Sequence, residues 1–191
     1  MKIKDIIMKI KDIILTALFA ALTAIGAFLK IPFPLAAITM QSFFTAMAAI
    51  LLGRKYGALS QGVYVLIGLV GIPIFALGGG FSYVFQPTFG FLLGLIPAAW
   101  VIGALCRRPL TFWRTALAIL AGYGVLYAIG VPYMALIANG YLGKGLTFWQ
   151  VIRGGMLLYL PGDMLKVVVA SLLCVTIERR LPKAAQPSTS A

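Results

Sequence analysis

Tyr159-Leu160-Pro161-Gly162-Asp163-Met164-Leu165-Lys166, running directly into Val167-Val168-Val169-Ala170, sets an acid and a base three residues apart in apolar sequence. The chain has only four acids: Asp5, Asp12, Asp163 and Glu178. Asp163 alone lies among apolar residues. A charge at the centre of a membrane helix costs about 2.5–3.5 kcal/mol on insertion scales. Such a residue is by default a functional-site candidate. The spacing predicts that Asp163 and Lys166 share a helix face. They can neutralise each other as an intrahelical pair. Alternatively, Asp163 accepts N–H groups from a ligand while Lys166 donates to a ligand carbonyl or carboxylate. The ligand reading is preferred, because burying two charges for structure alone gains little. The two readings are compatible if the pair preorganises a pocket.

Composition places this segment in a membrane. Of 191 residues, 62% are hydrophobic and 10% charged, against about 45–50% and about 25% in a soluble domain. One compact integral membrane domain is expected. The formal net charge of +12 does not indicate nucleic acid. Its cations sit at the ends of apolar runs, where topology signals lie, and the lipid bilayer with its anionic headgroups is their expected partner. Cys106 and Cys174 have no disulfide or metal spacing and read as reduced thiols. There is no histidine.

Along the chain, Met-Lys-Ile-Lys-Asp-Ile-Ile occurs at 1–7 and again at 8–14. Residues 1–12 read as an amphipathic polar lead, 13–180 as the membrane domain and 181–191 as a disordered tail. Helix 1 is expected over about Ile13 to Leu29. Ala17, Ala20, Ala21 and Ala24 form a small-residue stripe on it, suited to close helix packing within the chain or to a partner membrane subunit. Lys30 to Ala37, with Pro32-Phe33-Pro34, reads as an apolar extended loop. Helix 2, about Thr39 to Leu52, is too short to cross a hydrocarbon core of about 30 Å, which leaves a hollow with Gln41 in its first turn. Gly53-Arg54-Lys55-Tyr56-Gly57 reads as a tight basic turn before helix 3, about Ala58 to Ile72. The uncharged segment from Pro73 to Thr88 holds Gly78-Gly79-Gly80 and four aromatics, and reads as a lid over an apolar ligand. Helix 4 is expected over about Phe89 to Leu105. Helix 5, about Trp113 to Ile129, is expected to stop at Gly130-Val131-Pro132-Tyr133. Residues 149–159 suit a short interfacial helix. Pro161 opens helix 6, about Gly162 to Ile177.

This is an all-α integral membrane fold with six transmembrane helices. With both termini cytoplasmic, the inside holds Lys2, Lys4, Lys9, Lys11, Arg54, Lys55, Arg107, Arg108, Arg114, Arg179, Arg180 and Lys183. The outside holds Lys30, Lys144 and Arg153, and Lys166 lies in the membrane. That asymmetry follows the positive-inside rule. It sets Asp163 at the outer end of helix 6, beneath the Pro/Gly/aromatic loops, with the ligand pocket near the outer side.

Enzyme chemistry finds no support. There is no phosphate-binding glycine loop ending in Lys-Ser/Thr, no Ser/His/Asp set, no paired carboxylates and no metal cluster. No cofactor is expected. A stand-alone proton-coupled carrier remains an alternative, since one membrane acid can carry a proton. Six spans without an evident inverted repeat argue against it. A purely structural subunit is the third reading.

Gly71-Ile72-Pro73-Ile74-Phe75, Gly78-Gly79-Gly80, Pro87-Thr88-Phe89-Gly90-Phe91-Leu92-Leu93-Gly94, Gly130-Val131-Pro132-Tyr133 and Pro161-Gly162-Asp163 with Lys166 occur in this order. With Pro32-Phe33-Pro34 and Thr39-Met40-Gln41, they resemble the BioY family. These proteins are the biotin-binding S components of energy-coupling factor (ECF) vitamin transporters. The resemblance covers roughly residues 13–180. Two positions depart from the pattern: Phe91 stands where a tyrosine is usual, and Tyr133 where tryptophan is common.

The resemblance implies high-affinity capture of biotin from outside, in a bacterial plasma membrane. It implies coupling to a T-type membrane subunit and two ATPase subunits, with the Ala17/Ala20/Ala21/Ala24 stripe as the docking surface. An S component for another small vitamin is the nearest alternative. Biotin's ureido group offers two N–H donors and one carbonyl, matching Asp163 and Lys166. Aromatic walls for its thioether ring are expected from Phe75, Tyr83, Phe85, Phe89 and Tyr133. Gln41, Thr39, Ser82 and Thr88 are candidates for its carboxylate.

Overall fold

Gly53 decides how the first half of the chain folds. The computed structural model describes residues 3–31 and 38–180. In it, α1 spans Ile3–Phe28 and α2 spans Gln41–Leu69. Inside α2, Gly53 has φ 79° and ψ 176°, a positive φ that glycine adopts without steric cost. The helix reverses there. Gln41 meets Tyr64, Thr45 meets Gln61, and a Cβ on Gly57 would lie 2.6 Å from Ala49 Cα. These pairs are all centred on residue 53, so α2 is an antiparallel helical hairpin. Its first leg, residues 41–52, is about 18 Å long at 1.5 Å per residue, and its second leg covers 54–69. The expected basic turn over 53–57 thus contracts to one residue, because a single left-handed glycine suffices to reverse the chain. Arg54 and Lys55 already belong to the second leg.

Two short strands, β1 (Lys30–Ile31) and β2 (Ile38–Thr39), pair antiparallel with Lys30 opposite Thr39. They draw the end of α1 toward the start of α2. The loop expected around Pro32-Phe33-Pro34 lies outside the described residues, as does the tail expected over 181–191. After α2 the chain makes a bridge between Phe75 and Gly78 and a 3-10 turn over Phe81–Phe85. It then enters α3, Phe89–Leu105. Phe75 seats its ring on Gly68, where an added Cβ would come within 2.2 Å of it. The Gly80 N–H donates to Gly68 O at 2.7 Å.

Helix α4 spans Phe112–Ala135 and passes through Pro132. The stop expected at 130–133 does not occur. The chain instead widens into a π-turn over Leu136–Tyr141, the kind of local adjustment that lets an apolar helix carry a proline. Helix α5 covers Phe148–Ile152 and opens with a capping box between Thr147 and Gln150. A second π-turn, Arg153–Leu157, leads into α6, Leu160–Arg180. Helix α1 is continuous from Ile3, through the stretch read as a polar lead.

The core has two main parts. One joins the first leg of α2 to α3, α4 and α6 through residues such as Phe43, Ile50, Ile102, Ile119 and Val167. The other packs Ala20, Tyr64, Phe75, Tyr83, Phe89 and Leu126 together. The exterior is apolar: Ile13, Val70, Trp113 and Leu165 are all well exposed. Among the described residues, Ile10–Phe28, Phe112–Tyr141 and Phe148–Arg180 are long and apolar enough to cross a membrane. The molecule is a mostly helical, multi-pass membrane protein.

Candidate ligand-binding site

Asp163 sits in the first turn of α6, where its backbone N–H donates to Tyr159 O at 2.9 Å. Its side chain is held on both oxygens. Lys166 Nζ donates to Oδ1 at 2.8 Å, and the Tyr127 hydroxyl, from α4, donates to Oδ2. Lys166 also donates to Ser42 Oγ at 3.2 Å, which ties α6 to the first leg of α2. Asp163 is 4% and Lys166 8% exposed. Two charges at this depth require mutual neutralisation and satisfied hydrogen bonds, and the pair has both. A carboxylate offers about four lone-pair sites and an ammonium three N–H groups. Lone pairs on Asp163 and one N–H on Lys166 therefore remain available.

A cavity of about 90 Å³ opens beside this pair. Asp163, Lys166, Ser42, Tyr127 and Tyr159 line one side. Thr39 and Gln41 enter from β2 and the start of α2, Tyr83 and Thr88 from the segment before α3, and Ala76 and Leu77 from the loop before that. Phe91, Leu92, Leu95 and Leu126 supply an apolar wall.

The second polar group of the cavity is also fixed. Thr39 donates to Gln41 Oε1 at 2.8 Å, Gln41 Nε2 donates to Tyr64 Oη at 2.7 Å, and Tyr64 donates to Ile74 O at 3.1 Å. The start of α2 is thereby wired to the loop around Ala76. Lys30 Nζ donates to Ala76 O from the other side. Thr88 donates to Tyr83 Oη at 3.3 Å. The arrangement suits a small ligand with an apolar body, an edge carrying adjacent N–H and C=O groups, and further polar groups toward Gln41 and Thr88.

The residues singled out from sequence divide in two. Asp163, Lys166, Thr39, Gln41, Tyr83 and Thr88 surround the cavity. Phe75, Phe89, Tyr133, Phe85 and Ser82 do not line it. Phe75 is 1% exposed and packs edge-on to Tyr64 at 5.5 Å. Phe89 is buried between Tyr83 and Tyr133. Tyr133 donates to Val84 O at 2.6 Å. Phe85 stacks on Tyr141 near the surface, and Ser82 is exposed. Packing claims Phe75 and Tyr133, which fill the space left open at Gly68 and Gly90.

Sequence reasoning missed Ser42, Tyr127 and Tyr159. Tyr159 stands four residues before Asp163, one helical turn away, so spacing could have found it. Ser42 follows Gln41 directly. Tyr127 carries no local signal. The alanine stripe also divides: Ala17 and Ala21 are exposed, Ala20 is buried in the core and Ala24 is half-buried. The stripe expected as a docking face therefore straddles the edge of α1, with Ala17 and Ala21 turned outward and Ala20 packed inward. Among the described residues no group of three or more His, Cys, Asp or Glu could hold a metal ion.

The same residues can be set beside known proteins. A probable biotin transporter BioY of Lysinibacillus sphaericus is 41% identical over 152 residues, which is 78% of each chain. The biotin transporter BioY of Thermotoga maritima is 36% identical over 157 residues, 81% of this chain and 88% of that one. These relatives are transporters, not enzymes. The fold matches the crystal structure of the S component for biotin from an ECF-type ABC transporter with a TM-score of 0.78. That match covers 98% of this chain and 100% of the other at 21% identity. The BioY family model matches residues 1–183, and with these relatives it shows that the chain belongs to the BioY family.

Proposed function

We propose that this protein is the biotin-capture subunit, the S component, of an ATP-driven ECF importer. The observation that carries the reading is the buried Asp163–Lys166 pair at the wall of a largely apolar cavity. Biotin's ureido ring has two N–H donors and one carbonyl. Asp163 accepts the donors through its remaining lone pairs, and Lys166 gives its spare N–H to the carbonyl. Phe91, Leu92, Leu95 and Leu126 take the apolar ring system, while Gln41, Thr39 and Thr88 receive the carboxylate of the side chain. A fixed acceptor fits this role better than a proton relay, because both Asp163 oxygens are already held by Lys166 and Tyr127.

In this reading the six helical legs are six membrane spans: α1, the two legs of α2, α3, α4 and α6. Both termini are cytoplasmic, supported by the asymmetry of basic residues, and the cavity opens near the outer side of a bacterial plasma membrane. The partners are a T-type membrane subunit and two ATPase subunits, and Ala17 and Ala21 allow close approach of a partner helix to α1. No cofactor takes part; biotin is the cargo.

Equilibrium binding of biotin to the purified protein tests the proposal. Binding well below micromolar is expected, and micromolar or weaker binding refutes it. Mass spectrometry of small molecules released from the purified protein would identify a different vitamin.

A further inference from the structure

A second cavity, of about 480 Å³, lies between α4 and the segment running from α5 into α6. It is almost wholly apolar, with Leu120, Val131, Ile152, Met156 and Met164 among its walls. Two residues border both cavities: Asp163 and Tyr127. Asp163 therefore borders the binding cavity on one side and an apolar groove between two candidate membrane spans on the other.

Nothing intrinsic to an aspartate fixes which way its oxygens point, since its terminal torsion is broad. Lys166 fixes Oδ1 from the same helix. Tyr127 fixes Oδ2 from the facing helix, and its ring stands in the boundary between the two spaces. We propose that Tyr127 is a positioning residue for ligand capture: its hydroxyl locks the Asp163 carboxylate with its free lone pairs toward the binding cavity. The edge-on contact of Tyr127 with Phe91, 6.3 Å between ring centroids, holds the ring in place. This rests on the proposed biotin-binding site, and it assigns Tyr127 an action through Asp163 rather than a contact with ligand.

The consequence is a preorganised acceptor. Donors to a charged group that are fixed before binding spare the ligand the work of orienting it. Removing the hydroxyl while keeping the ring leaves the wall intact and frees the carboxylate to turn.

The test is Tyr127→Phe, read in two ways. First, infrared spectra of the empty protein labelled with ¹³C-aspartate report the Asp163 carboxylate; the other two aspartates, Asp5 and Asp12, are subtracted using Asp163→Asn. Tyr127→Phe is expected to shift the Asp163 carboxylate bands, and unchanged bands overturn the proposal. Second, biotin dissociation is expected to quicken and Kd to rise about tenfold to a hundredfold, the range for a hydrogen bond to a charged group. Wild-type and Tyr127→Phe proteins with equal Kd overturn the positioning role while leaving the biotin reading standing. A wild type that does not bind biotin sinks the biotin reading, and the infrared bands still decide on Tyr127. A hydroxyl that only stabilises the fold would lower the thermal midpoint and leave bands and Kd in place, which also overturns the proposal.

Discussion

At the first turn of α6, Asp163 meets Lys166 at 2.8 Å; in its last turn, Glu178 meets Arg108 at 3.4 Å. Both are acid–base pairs made by an acid of the same helix, one buried and one half-buried, and their surroundings differ. Glu178 Oε2 accepts the Leu110 backbone N–H at 2.6 Å, and Oε1 takes the Arg108 guanidinium. Both of its partners come from the short connection between α3 and α4. This pair fastens a loop, and neither Arg108 nor Glu178 lines either of the two cavities. Asp163 is also held on both oxygens, by Lys166 and Tyr127, but a cavity adjoins it and donors converge there from β2, α2, α4, α6 and the segment before α3. A buried ion pair alone therefore says little about function. What separates a site from a clamp is hydrogen-bonding capacity left over next to space.

The comparison breaks most sharply under charge removal at each end. Asp163→Asn keeps the shape but leaves Lys166 without a counter-charge. Truncating one member of a buried charge pair costs about 2–5 kcal/mol in binding, so biotin affinity is expected to fall at least about 30-fold by titration calorimetry. Asp163→Asn that binds like wild type would make the first pair a clamp like the second. Glu178→Gln is expected to do the opposite. Losing a charged acceptor for a backbone N–H and a guanidinium costs about 1.5–3 kcal/mol, read as a lower thermal midpoint. Biotin Kd should stay within about twofold, because the change lies at the far end of α6. A large loss of affinity in Glu178→Gln would mean that the two ends are coupled.

The same contrast explains how far the sequence could be read. Asp163 and Lys166 stood out because charge in an apolar run is costly and their spacing is helical. Glu178 carries no such local signal, since its partners, Arg108 and Leu110, lie 70 and 68 residues away. Tyr127 was invisible for a similar reason: its partner lies 36 residues away on another helix. The helical legs were legible from length and apolar runs, and Gly53 was legible as a break. That it reverses the chain within one residue depends on its φ of 79°, which composition does not reveal. Pro132 misled, because the rule that proline stops helices is weaker where a π-turn follows. Phe75 and Phe89 were expected in the pocket by chemistry alone, but the slot at Gly68 holds Phe75 in the core, and Phe89 packs between Tyr83 and Tyr133.

The smallest expected effect sharpens the comparison most. Ser42 touches neither acid, and its contact to Lys166 is the longer of that lysine's two, 3.2 Å against 2.8 Å. In the clamp at Glu178, both partners bond to the acid itself. In the site, Ser42 holds the base, so it sets where the spare Lys166 N–H points. Ser42→Ala removes that tether and leaves the ion pair. A hydrogen bond to a charged group contributes about 1.5–3 kcal/mol when both partners are rigid; this one is long, and Lys166 keeps Asp163, so the lower end applies. Biotin Kd is expected to rise about tenfold or less, with Asp163→Asn remaining the more damaging change. The loss should concentrate on the ligand carbonyl. An analogue with a weaker acceptor at that position should therefore show a smaller difference between wild type and Ser42→Ala in competition binding. Equal losses for both ligands would mean that Ser42 supports the fold of α2 rather than the direction of the lysine, and the distinction drawn between the two ends of α6 would narrow to Asp163 alone.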